Sequence, residues 1–298
     1  MTTPEPVAET GLALYSRAAQ QSSSTVIDQY STSFGVASRL LAKSVRADVR
    51  NIYALVRIAD EIVDGAAREA GLDSAAQLHI LDALEAETDQ AVADGYSTNL
   101  VVHAFAMTAR SSGITPELTA PFFASMRRDL SPVDFTADEL RSYIHGSAEV
   151  VGLMCLRVFL RGQAVAAEER ARLEAGACRL GAAFQKINFL RDFSTDWNGL
   201  QRNYFPGVDP GSLTAQQKRV LVEDVEADLR AAAAVIPELP SACRVAVTAA
   251  HDLFAALTAR VRRTPADELL HTRVRVATPA KLGVLSHALI TRSPRSVA

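Results

Sequence analysis

Two groups of oxygen-bearing side chains stand at spacings that suit a divalent cation. In the segment Asn51–Gly65, Asp60 and Asp64 are four residues apart, which sets both carboxylates on one helix face a turn apart. Their neighbours Ile58, Ile62 and Val63 are apolar, and Arg57 precedes Asp60 by three residues on roughly the same side. Like charges at this spacing cost a few tenths of a kcal/mol when exposed and far more when buried without a partner. A cation held by both carboxylates removes that conflict. In Gly181–Asp196, Asn188, Asp192 and Asp196 climb in successive steps of four, with Gln185 about one turn before Asn188. An amide oxygen and carboxylates in a column are hard ligands of the kind Mg²⁺ takes. Both clusters lack thiols and imidazoles, which argues against zinc and copper. One Asp-x-x-x-Asp alone is ordinary on a solvated helix face. Here both clusters sit in helices that are apolar nearly all round, and each carries an arginine, Arg57 or Arg191, beside its acids. The combination describes a trap for a multiply charged anion with Mg²⁺: a metal-dependent enzyme acting on a phosphate or diphosphate ester. There is no Gly-x-x-x-x-Gly-Lys loop and no kinase signature.

The elements that must carry these residues are helical. The chain has 298 residues with only 15 glycines and 12 prolines, and alanine is its commonest residue. Apolar positions recur at spacings of three and four over 26–41, 45–63, 72–92, 97–110, 116–129, 137–161, 167–196, 214–235, 241–262 and 279–290. Breakers separate them, among them Asp94-Gly95, Ser112-Gly113, Ser131-Pro132 and Pro237 with Pro240. The best strand candidate, 272–277, is short. The expectation is one all-α domain over 25–290, with a flexible N-terminal arm over 1–24 and a tail over 291–298. A hydrophobic content of 48% supports a sizeable core. Thirty-one basic against 34 acidic residues, a formal charge of −3, give no general attraction for nucleic acid or anionic membranes. Cys155, Cys178 and Cys243 read as small buried hydrophobes. The N-terminus has no basic residue of a signal peptide. The longest apolar run, Val150–Leu160, is interrupted by Arg157 and is too short to span a membrane. The expectation is therefore a soluble, cytoplasmic protein.

The two clusters, taken with their flanks, resemble the phytoene and squalene synthase family of trans-prenyl head-to-head synthases. Tyr53-Ala54-Leu55-Val56-Arg57-x-x-Asp60-Glu61-x-Val63-Asp64 is similar to its first acidic motif. Gly181-x-Ala183-x-Gln185-x-x-Asn188-x-Leu190-Arg191-Asp192-x-x-x-Asp196 is similar to its second. Ser31-Thr32-Ser33-Phe34, Tyr143-x-x-x-Ser147-Ala148-x-Val150-Val151-Gly152, Arg202-x-Tyr204-Phe205-Pro206, and Arg273-Val274 with Lys281-Leu282 extend the likeness over about 25–290. The resemblance implies an all-α class I terpenoid synthase bundle around a central apolar cavity, with the two acidic helices facing each other across it. It implies Mg²⁺, with Mn²⁺ as a substitute, held by Asp60, Asp64, Asn188, Asp192 and Asp196. Arg57, Arg191 and Arg273 would bind diphosphate oxygens bidentately. Ser31, Ser33, Phe34, Gln185 and Tyr204 are carried over as further substrate contacts. The chain departs from many relatives at His145, where a second tyrosine is usual, at Glu149, where glycine is usual, and at Phe254. His145 is either a polar substrate-binding residue of the cavity or a structural histidine. Glu149 either pairs with a basic neighbour or lines the diphosphate region.

The family chemistry ionises one allylic prenyl diphosphate and couples it to a second through a cyclopropylcarbinyl diphosphate. The absence of a hydrophobic C-terminal anchor points away from the NADPH-reducing squalene synthases. The expectation is non-reductive coupling of two geranylgeranyl diphosphates to phytoene, a step of carotenoid biosynthesis, with loose peripheral membrane association. The alternative uses farnesyl diphosphate and gives dehydrosqualene, presqualene diphosphate or hydroxysqualene. A third reading, a catalytically silent helical interaction protein, is opposed by the intact acidic set.

Overall fold

A computed structural model describes residues 10–31, 33–131, 134–200, 204–209, 212–272 and 274. Within these, the side chains of 33, 34, 36 and 194–200 are not described. The helices are α1 (Gly11–Tyr30), α2 (Ser33–Arg39), α3 (Lys43–Asp64), α4 (Ala66–Glu69), α5 (Ser74–Asp94), α6 (Leu100–Ser112), α7 (Pro116–Asp129), α8 (Ala137–Ile144), α9 (Val150–Phe159), α10 (Ala167–Leu200), α11 (Ala215–Val235), α12 (Ser241–Arg263) and α13 (Ala266–Leu269). A π turn, His145–Glu149, joins α8 to α9, and a 3₁₀ turn, Ile236–Glu238, follows α11. The all-α expectation holds among the described residues. The strand candidate at 272–277 and the helix expected at 279–290 lie almost wholly outside them.

Local chemistry sets the boundaries. Asp73 and Asn99 accept hydrogen bonds from the first-turn amides of α5 and α6, and Thr136 with Glu139 and Thr214 with Gln217 form reciprocal capping boxes on α8 and α11. Gly95 and Gly113 end α5 and α6 at φ 80° and 69°, a backbone that side chains with a Cβ resist.

The flexible arm expected over 1–24 is overturned from Gly11 onward. Thr10 caps α1, and Ala19, Ser23 and Ile27 bury its inner face against α3 and α6. The small polar residues Gln20–Ser24, at the end of the expected arm, belong to that helix: Ser22 and Ser24 return their hydroxyls to the carbonyls of Ala18 and Gln20 and leave it unbroken. The single helix expected over 26–41 is in fact two, since the backbone of Ser31 is extended. The helix expected over 137–161 is interrupted by the π turn, where the hydroxyl of Ser125 donates to the Tyr143 carbonyl at 3.1 Å.

The core has two apolar clusters, one centred on α3, α6, α7 and α9, the other on the C-terminal half of α10 with α11 and α12. Helix α10 contributes to both and joins them. In the second, Phe135, Tyr143, Phe189 and Tyr204 pack ring on ring, and Phe189 stacks on Tyr204 with centroids 4.0 Å apart. The Tyr143 hydroxyl donates to buried Asp129 at 2.8 and 2.9 Å. Tyr143→Phe removes that donor from a buried carboxylate and is expected to cost about 1–3 kcal/mol. Thermal unfolding should show it as a fall of several degrees in the midpoint.

Candidate active site

Side-chain and backbone contacts fix the direction of the helices around the acidic residues. A methyl group placed on Gly152 would meet the Ala177 carbonyl oxygen at 2.8 Å, and one on Gly181 would meet that of Ala148 at 2.6 Å. Helices α9 and α10 are therefore antiparallel and in close contact. Gly176 lies against Val235, and Lys186 reaches Asp224 and Asp228 at 2.5 and 2.7 Å, so α11 is antiparallel to α10 as well. The Ala42 amide donates to the Ala242 carbonyl at 2.9 Å, which puts the start of α3 beside the start of α12. Arg161, just past α9, holds the Ser44 carbonyl at 3.2 Å and Asp48 at 2.9 Å. Helices α3 and α10 thus begin at one end of the molecule, and both carry their acidic residues away from it.

Between them lies a cavity of about 240 Å³. Its walls are almost wholly apolar: Leu41 and Val49, Val151 to Phe159 of α9, Leu173 to Phe184 of α10, and the facing residues of α11 and α12. Eleven residues of α-helix make about three turns and return to nearly the same face. Asp60 stands eleven residues past cavity-lining Val49, Asn188 eleven past Ala177 and Asp192 eleven past Gly181. Each acidic cluster continues a stripe that lines the cavity, toward the same end.

On α3, burial and the neighbouring Asp64 carboxylate push the Asp60 carboxyl up to about 7, against the pull of Arg57. Arg57 donates to Asp60 at 2.7 Å, pairs with Glu61, and covers the Tyr30 ring at 4.5 Å. The Tyr53 hydroxyl, raised above its usual value mainly by burial, hydrogen-bonds Ser31. That contact ties the predicted Ser31 to the first motif. On α10, Arg191 grips Asp192 through two nitrogens at 3.0 and 2.5 Å. Asn188 Oδ1 is buried with no hydrogen-bond partner. An orphaned amide oxygen between Gln185 and Asp192 costs about 1–3 kcal/mol, and a hard cation would satisfy it. The donor set of carboxylates and an amide oxygen fits Mg²⁺. Among the described residues no three His, Cys, Asp or Glu side chains converge on one point.

The remaining site predictions fall in different places. Gln185 is half-buried one turn before Asn188. Tyr204 is buried, with its ring in the aromatic stack behind Asn188 and Asp192. His145 is not among the cavity-lining residues. It lies in a surface groove with Arg128, Arg141, Arg179 and Lys186, its Nδ1 2.9 Å from Glu149, because the π turn rotates Ala148 toward the cavity and His145 and Glu149 outward. Glu149 accordingly pairs with His145. Arg202, Arg273, Lys281 and Leu282, with the side chains of Ser33, Phe34 and Asp196, lie outside what is described. Sequence reasoning missed Tyr30 and Asp129 as partners of the motif residues. Neither stands in a motif, and each is brought in by packing.

Comparison with known proteins bears on the fold and the family. A family model described as squalene/phytoene synthase matches residues 27–280. The 15-cis-phytoene synthase of Paracoccus sp. (strain N81106 / MBIC 01143) is 28% identical over 281 residues, covering 88% of this chain and 88% of its own. That of Pantoea ananas is 26% identical over 275 residues, covering 86% of each. A crystal structure of a dehydrosqualene synthase with bound ligand superposes with a TM-score of 0.76 at 20% identity, covering 93% of this chain and 98% of that one. The squalene synthase HpnC from Alicyclobacillus acidocaldarius gives 0.69 at 20% identity, over 84% and 95%.

Proposed function

The chain belongs to the squalene/phytoene synthase family, and from that premise we propose that it joins two allylic prenyl diphosphates head to head, without NADPH, in a Mg²⁺-dependent reaction. What supports the reading is that Asp60 with Asp64 on α3 and Asn188 with Asp192 on α10, each pair beside an arginine, stand beyond residues of the same two helices that line one apolar cavity.

Asp60, Asp64, Asn188 and Asp192 would hold the metal, with Asp196 as a further ligand. Bound Mg²⁺ supplies Lewis-acid stabilisation to the departing diphosphate. The protein's own part is to bind, orient and keep dry. Arg57 and Arg191 now neutralise adjacent carboxylates; turned toward substrate, their planar forks match diphosphate oxygens bidentately. The cavity walls offer an allylic cation no water, which would trap it as an alcohol.

Two readings of tail length have separate support. The names of the relatives, phytoene synthases, favour two C20 geranylgeranyl diphosphates and phytoene as product. The names of the structural neighbours, a dehydrosqualene synthase and a squalene synthase, favour two C15 farnesyl diphosphates, with dehydrosqualene, presqualene diphosphate or hydroxysqualene as product. Purified protein given Mg²⁺ and each diphosphate, followed by extraction and mass analysis of the lipid product, decides between them. No product from either sinks the enzymatic reading, and product formed only with NADPH overturns the non-reductive one. Among the described residues no helix is long and apolar enough to cross a membrane. Loose peripheral association on the cytoplasmic side suits a product that partitions into lipid.

A further inference from the structure

The arginine of the first acidic helix is held from two sides. Along its edge, the guanidinium of Arg57 donates to Asp60 at 2.7 Å and pairs with Glu61. Over its face lies the ring of Tyr30, with the guanidinium carbon 4.5 Å from the ring centroid, a cation–π contact. The Arg57 Nε is buried without a hydrogen-bond partner among the described residues. The two carboxylates and the ring therefore set where the fork points.

The end of α1 delivers that ring. Tyr30 is the last residue of α1, and Ser31 after it is extended, with its amide donating to the Ile27 carbonyl at 3.0 Å. The Ser31 side chain hydrogen-bonds the Tyr53 hydroxyl. Tyr53 and Arg57 are four residues apart and share one face of α3. Two consecutive residues thus dock on two consecutive turns of α3, Ser31 on Tyr53 and Tyr30 on Arg57. Tyr30 is 51% exposed, so core packing explains little of its placement. A ring has a property that suits the site: it holds a guanidinium by the face and leaves the N–H groups of the edge free. A carboxylate in its place would occupy those donors and repel an anionic substrate.

We propose that Tyr30 is a positioning residue for Arg57: when Asp60 leaves the arginine for a metal ion, the ring keeps the guanidinium plane in place and presents its freed edge to the substrate diphosphate. The proposal rests on the diphosphate-binding part of the reading above. Tyr30 acts through Arg57, so its removal should be felt in binding and should vanish when Arg57 is gone.

The test measures binding of inorganic diphosphate with Mg²⁺ by calorimetry, and KM and kcat with farnesyl and geranylgeranyl diphosphates. It uses wild type, Tyr30→Phe, Tyr30→Leu, Arg57→Gln, and Tyr30→Leu combined with Arg57→Gln. Tyr30→Leu keeps apolar bulk and loses the π face. It should weaken diphosphate binding and raise KM by about three- to tenfold, the size of one cation–π contact, with kcat moved less than KM. Tyr30→Phe keeps the face and should restore both to within about twofold. In the Arg57→Gln background, Tyr30→Leu should change neither. A ring that only ties α1 to α3 would instead lower the thermal midpoint on loss and leave binding alone. Unmoved binding in Tyr30→Leu, an equal loss in Tyr30→Phe, or the same loss with and without Arg57 each overturns the proposal. If Tyr30→Leu does not fold, Tyr30→Met takes its place. Product formed while Tyr30→Leu binds normally removes Tyr30 and leaves the coupling reading. Diphosphate binding that follows the ring, with no product from either substrate, keeps Tyr30 and sinks the coupling reading. Wild type that binds no diphosphate overturns both.

Discussion

Asp60→Asn and Asp192→Asn are each expected to lower turnover by about a hundredfold to a thousandfold, the loss that follows removal of one preorganised electrostatic group, while the fold is retained. Asp60 is held beside Asp64 in a site that pushes its carboxyl up to about 7. A carboxyl raised in the folded state destabilises it as pH rises from the unfolded value near 4 to the folded value near 7, because only the unfolded chain then ionises freely. Asparagine cannot ionise, so Asp60→Asn loses that penalty above pH 4 and should match or exceed wild type in thermal midpoint at pH 7. It still gives Arg57 an acceptor oxygen, and Glu61 remains in place as its ion partner. Asp192→Asn keeps an amide oxygen near Arg191 but halves what its fork can grip. Lost activity with an intact midpoint marks both carboxylates as functional. Activity that survives both substitutions removes these residues from the metal site, whatever the fold. The arginines add a consequence of sign: with a carboxylate neutralised, Arg57 or Arg191 is freer to bind anion. Inorganic diphosphate without metal should then bind the variants no worse than wild type.

How far this site can be read from sequence depends on whether its parts are local. Asp60 with Asp64, and Asn188 with Asp192, are local: helical spacing alone put each pair on one face, and α3 and α10 deliver them so. The cavity is not local. Its walls come from α2, α3 and α9 to α12, and the alternation of Gly152, Gly176 and Gly181 with bulky residues shows its purpose only once Ala177, Val235 and Ala148 are seen against those glycines. Helix α1 misled for a different reason. Its serines are poor helix formers in isolation, but Ala19, Ser23 and Ile27 bury a face against α3 and α6, and packing outweighs propensity. The break at Ser31 and the turn at His145–Glu149 leave no periodic signal, since apolar spacing continues across both. His145, readable as a cavity residue or a structural histidine, lies in the π turn and lines the groove, not the apolar cavity. Asp129 likewise shows nothing in sequence; the Tyr143 hydroxyl brings it in.

That same turn carries the largest stability effect expected of a small change. Gly146 sits in the π turn against α7, and a methyl group there would fall well inside contact distance of the Pro121 carbonyl oxygen and the Ser125 hydroxyl oxygen. The Pro121 carbonyl is backbone within a helix and cannot step aside as a side chain can. Forcing α7 and the π turn apart costs about 1–3 kcal/mol as overpacking. Ser125 must also move, and the bond its hydroxyl donates to the Tyr143 carbonyl is lost, which adds about 0.5–1.5 kcal/mol. Gly146→Ala should therefore cost about 3 kcal/mol, which at roughly 2–4 °C per kcal/mol for a chain of this size lowers the midpoint by about ten degrees. Gly11→Ala, where a methyl meets nothing within 4 Å, is the control and should be neutral or stabilising. Equal midpoints for the two variants would mean the turn has slack to repack. The expected fall has a functional corollary. Because Ala148 of the turn lines the cavity while His145 and Glu149 face the groove, displacing α7 from the turn moves a cavity wall. Turnover of Gly146→Ala should drop even well below its midpoint, and Ser125→Ala, which removes the donor without overpacking, should reproduce the smaller part of the stability loss alone.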